Sequence, residues 1–61
     1  MTFTFTELAA CAQREVKQRK RVYARRVQQR DMTQDFADRE IGMMQAIADH
    51  FDELAKKERL L

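Results

Sequence analysis

Sixty-one residues, 44 % hydrophobic and 36 % charged, allow one small domain whose interior is too thin to stand comfortably without a staple or a partner. The single cysteine, Cys11, closes no intrachain disulfide, and with one histidine, His50, it falls short of a structural zinc set, so packing must supply the stability. Zero Pro and one Gly fit a helical chain and fit poorly with a β-rich or disordered one, and the net charge of +2 divides unevenly along it.

Residues 1–30 carry eight basic side chains against Glu7 and Glu15, a net +6, whereas residues 31–61 carry four basic against eight acidic ones, a net −4. Oppositely charged halves favour lying side by side and leave a two-signed surface. The longest nearly apolar run, IGMMQAIA at 41–48, is far too short for a bilayer, and the N-terminus lacks the basic-then-apolar layout of a secretion signal. A cytoplasmic protein without membrane contact is expected.

The first helix begins at Thr4, where Thr-x-x-Glu (Thr4, Glu7) makes a capping box and Phe3 with Leu8 supplies the hydrophobic staple. No breaker follows until about Arg30. Over that span Phe5, Ala9, Ala12, Val16, Tyr23 and Val27 recur at helical spacing, and Arg19 and Lys20 interrupt the stripe. A second start lies at Thr33, with Asp35 in the first turn where it complements the helix dipole. The second helix then carries Phe36, Ala37, Met43, Met44, Ile47, Ala48, Phe51, Leu54 and Ala55 along one broad face, with Gly42 on the outer side. The spacing predicts a single domain over 1–61, with helix one at about 5–29, a turn at about 30–33 and helix two at about 34–58.

Helices of about 25 residues are about 37 Å long, and so short a turn makes them antiparallel. The expected fold is all-α, an antiparallel two-helix hairpin. Its apolar stripes are wider than one helix contact needs, particularly around Met43, Met44, Ile47 and Phe51, which predicts a homodimer forming a four-helix bundle. The residues expected in the core or dimer interface are Leu8, Ala12, Val16, Tyr23, Val27, Phe36, Met43, Met44, Ile47, Phe51 and Leu54.

With the turn near 31–32, positions whose numbers sum to about 63 lie opposite one another. That brings Glu40 across from Tyr23 and within a turn of Arg19, and predicts a polar contact among Arg19, Tyr23 and Glu40 that sets the register. No second acid or nucleophile stands near it, so no catalytic residue, cofactor, metal or small-molecule substrate is expected. Cys11 reads as a small packed thiol and His50 as a structural histidine beside Phe51. Met32 reads as turn packing.

Arg14, Lys17, Arg21 and Arg25 form a basic ridge on the outer face of helix one, at the three- and four-residue steps that share a helix face. Such a ridge tracks phosphates or a partner protein, or is simply solvated. It lacks the aromatic interleaving of single-strand binders and the short reading helix of a helix-turn-helix. The outer face of helix two carries Asp38, Asp49 and Asp52 with Gln45, either a soluble surface or a docking strip, with ion pairs expected from Asp35 to Arg39, Asp52 to Lys56 and Glu53 to Lys57.

The run RKRVYARRV, then MTQ, then ADREIGMMQAIADHF resembles a group of small, mostly uncharacterised proteins encoded by bacteriophages and prophages, over about residues 7–52. Arg21-Val22-Tyr23, Met32 and the segments Ala37 to Ile41 and Met44 to Ile47 carry the likeness, and members of that group often have Gly in the turn where this chain has Arg30. The motifs carry no known chemistry. Some small early phage proteins of comparable dimeric helical-hairpin design bind and disable host proteins, and that analogy of architecture favours an interaction protein that binds and modulates a host macromolecule. The alternative is a nucleic-acid accessory protein using the basic ridge, and a third reading is a purely structural oligomerisation piece.

Overall fold

The structure, a computed structural model, describes residues 2–60. It is an antiparallel hairpin of two helices, α1 (Phe5–Gln28) and α2 (Gln34–Leu60), with no strand among the described residues. The rod is 47 Å long and under 20 Å across, 19 × 16 Å.

Each boundary has a local chemical cause. At the start of α1 the Thr4 hydroxyl accepts from the Glu7 amide at 3.0 Å while the Glu7 carboxylate accepts from the Thr4 amide at 3.1 Å, closing the capping box. α2 starts in the same way, with the Thr33 hydroxyl accepting from the Phe36 amide at 3.2 Å.

Between them α1 ends at Gln28, with Gln29 as its cap, in a Schellman turn. The Asp31 amide donates to the Arg26 carbonyl at 2.9 Å, and the Arg30 amide donates to the Val27 carbonyl at 3.0 Å. That turn requires a left-handed residue, and Arg30 occupies the position with φ 63°. A side chain costs about 1–2 kcal/mol in that conformation, which is why glycine usually stands there.

The interior of the hairpin is a seam of small side chains. Ala9, Ala12 and Val16 of α1 are buried against Ala37, Ala48 and Ala55 of α2, with Ala48 at 0 % exposure and Met44 packed partly against them. Small residues let two backbones approach closely and then leave no room for anything larger. Of the side chains expected in the core or interface, Leu8, Tyr23, Val27, Met44, Phe51 and Leu54 are half-buried along the edges of this seam.

Phe36, Met43 and Ile47 lie outside the hairpin's own interior, at 53, 46 and 47 % exposure. The reason is angular. At 100° per residue Ala37, Ala48 and Ala55 share one line on α2, and the three large side chains stand about 100° round the helix from it. Cys11, expected to be packed, is exposed on α1 for the same reason.

Candidate functional site

The hairpin presents two unlike flanks. On the first, the large side chains of α2 (Phe36, Met43, Ile47, Phe51) stand beside Leu8, Cys11, Glu15 and Val22 of α1. Leu8, Cys11, Ile47 and Phe51 line one open hollow there together with the polar Arg14, Glu15 and Gln18, and the hollow joins the two helices into a continuous surface. Phe5 caps its open end, its ring 6.4 Å from that of Phe51, and His50 meets the same Phe51 edge-on at 5.6 Å.

The second flank is crossed by a polar link. Gln13 donates across the hairpin to the Asp52 carboxylate at 2.7 Å, so Asp52 braces the helices and does not belong to an outer acidic strip. Near the turn this flank opens into a groove lined by Lys20, Arg21, Arg25, Gln34 and Ile41. Arg14, Lys17, Arg21 and Arg25 are all exposed, and none makes an ion pair among the described residues. Lysine or arginine heads in that state are free for an anionic partner.

The polar contact expected among Arg19, Tyr23 and Glu40 takes a different form. Arg19 Nε donates to the Glu15 carboxylate at 3.1 Å, and its Nη1 donates to the backbone carbonyl of Glu40 at 3.1 Å. Tyr23 makes no hydrogen bond among the described residues. Arg19 therefore finds its counter-charge on its own helix, one turn back, and reads α2 through the backbone. This ties the two helices together without burying a lone carboxylate.

The ion pairs expected along α2 are also rearranged. Lys56 pairs with Glu53 at 3.4 Å, and none of the expected pairs Asp35 to Arg39, Asp52 to Lys56 and Glu53 to Lys57 forms among the described residues. Asp38 and Asp49 accept instead from Gln34 at 2.8 Å and Gln45 at 2.9 Å on the same helix. Exposed pairs of this kind contribute little.

Glu58 is a residue the sequence reading passed over. Its carboxylate accepts from the Phe5 amide at 3.1 Å and from the Thr6 amide and hydroxyl at 3.5 and 3.4 Å, so the end of α2 caps the start of α1. The carboxylate also sits at the positive end of the α1 dipole. The signal was present in the opposition of positions summing to about 63, which sets 58 across from 5.

Among the described residues, no three His, Cys, Asp or Glu side chains gather to hold a metal ion, and no helix is long and apolar enough to cross a membrane. Comparison of the chain with family models, curated proteins and solved structures finds no match.

Proposed function

We propose that this chain is an interaction protein that works as a homodimer: two hairpins form a four-helix bundle, and its outward charged faces engage a macromolecular partner. The observation carrying this reading is the exposure of Phe36, Met43 and Ile47 along one side of α2. Large apolar side chains left exposed together on one side of a small protein mark a surface for another chain. The partner, following the phage and prophage resemblance, is a host protein met in the bacterial cytoplasm.

Sedimentation equilibrium over a range of micromolar concentrations tests the dimer, with twice the 7.3 kDa chain mass as the expected result and a stable monomer as the result that ends the reading. Ile47→Asp is expected to abolish self-association, because a carboxylate on that strip has to be desolvated without a partner.

The unpaired basic ridge favours one second reading, a nucleic-acid accessory protein. Gel-shift titration with duplex DNA and with RNA at two salt concentrations separates the two. Strong binding that weakens steeply with salt and disappears in Arg21→Glu/Arg25→Glu establishes the second reading. Salt-insensitive, weak retention leaves the host protein as the partner.

A further inference from the structure

We infer that the flank formed by Leu8, Cys11 and Val22 of α1 with Phe36, Met43 and Ile47 of α2 is the face covered by a second copy of this chain, and that the opposite flank stays free. This rests on the dimeric reading above and says which surface of the hairpin serves it.

Area is the first argument. The hairpin exposes 5036 Å². A compact monomer of its mass exposes about 4,200 Å². The excess comes from the rod's elongated shape, and one long face of that rod, 47 Å by 16–19 Å, measures roughly 750–900 Å², close to the roughly 800 Å² that each partner contributes to a standard stable interface. A second copy is therefore an occupant of the right size, and each copy supplies the apolar surface the other lacks.

The sidedness of that surface is the second argument. Away from the open end of the hairpin, the exposed large hydrophobic side chains, Val22, Phe36, Met43 and Ile47, all lie on this flank. The other flank is bridged by the Gln13–Asp52 bond and edged by Lys20, Arg21 and Arg25, whose burial against a like surface would bring cations together. In a bundle joined through the apolar flank, Lys17, Arg21 and Arg25 of both copies face away from the joint. Of the charged groups on or beside this flank, Glu15 and Arg19 pair within each chain at 3.1 Å, and Arg14 and Glu40, of opposite sign, make no ion pair among the described residues.

Cys11 reports on the proposal without any substitution. It is exposed on the hairpin and lies within the covered area. Maleimide labelling of the native chain is to be timed across the concentrations used for sedimentation. Where the mass doubles, the thiol should react roughly tenfold more slowly or less, because access limits the reaction.

Val22→Glu, on the same flank, should give a lighter species and a fast thiol. Ala24→Asp, on the opposite flank, should leave both mass and labelling rate unchanged. A doubled mass with an unprotected thiol, or a dimer broken by Ala24→Asp and not by Val22→Glu, overturns this face while keeping the dimer. A single-chain mass at every concentration overturns the dimer and this inference together.

Discussion

The inner seam of the hairpin and its apolar flank use the same chemistry at different scales. In the seam, alanines at positions 9, 12, 37, 48 and 55 with Val16 bring the helices close, and each buried methyl contributes about 0.8 kcal/mol. On the flank, Phe36, Met43 and Ile47 are larger, and about half of each is left uncovered by the chain, so covering the rest of one is worth about half of the roughly 1.5–3 kcal/mol of full burial. The difference teaches that the hairpin's geometry is set by its smallest residues, whereas its large exposed apolar side chains lie outside the seam. Close approach gives register, and large side chains give energy.

The most direct way to break this comparison is to make the seam resemble the flank. Ala48→Leu adds a side chain where exposure is 0 %, so the helices have to separate, and a loss of about 1–3 kcal/mol is expected. In a chain of this size thermal unfolding followed by circular dichroism should show the midpoint falling by about 4–8 °C per kcal/mol. The volume-conserving change Met43→Leu on the flank should cost less than about 1.5 kcal/mol. If Ala48→Leu is harmless, the seam is not close-packed.

The ends of the seam sharpen the point, because the register that small residues permit is held there. Arg30→Gly relieves a left-handed side chain at φ 63°, and a gain of about 1 kcal/mol in urea unfolding is expected. At the other end, Glu58→Ala removes the carboxylate that reaches the Phe5 amide at 3.1 Å, for a loss of about 0.5–1 kcal/mol that shrinks in high salt. A salt-independent loss would mean the contact acts through packing.

The smallest change concerns neither surface. A Cβ on Gly42 meets nothing within 4 Å, so Gly42→Ala should stabilise α2 by about 0.5–1 kcal/mol and leave self-association as it was. A shift in the sedimenting mass would show that the outer side of α2 takes part in assembly, which contradicts the division drawn here.

The local elements were written in the chain itself. Thr4 with Glu7, Thr33 with the acidic first turn, and the proline-free helical spacing on either side of residues 29–33 specify two helices and an antiparallel turn. They do so because caps and turns are decided by side chains within a few residues of one another. The same holds for the basic ridge, whose four members share a face by their spacing alone.

Only the tertiary structure decided which part of each broad apolar stripe turns inward. Periodicity gives an angle and not a distance, so Ala37 and Phe36, or Ala48 and Ile47, are equal candidates until a second helix arrives and admits the smaller one. Arg19 bonding the Glu40 carbonyl, Asp52 taking Gln13, and Glu58 capping α1 were settled at the same step. Each joins residues at least 21 positions apart, and which polar groups meet depends on the close approach that the alanines allow.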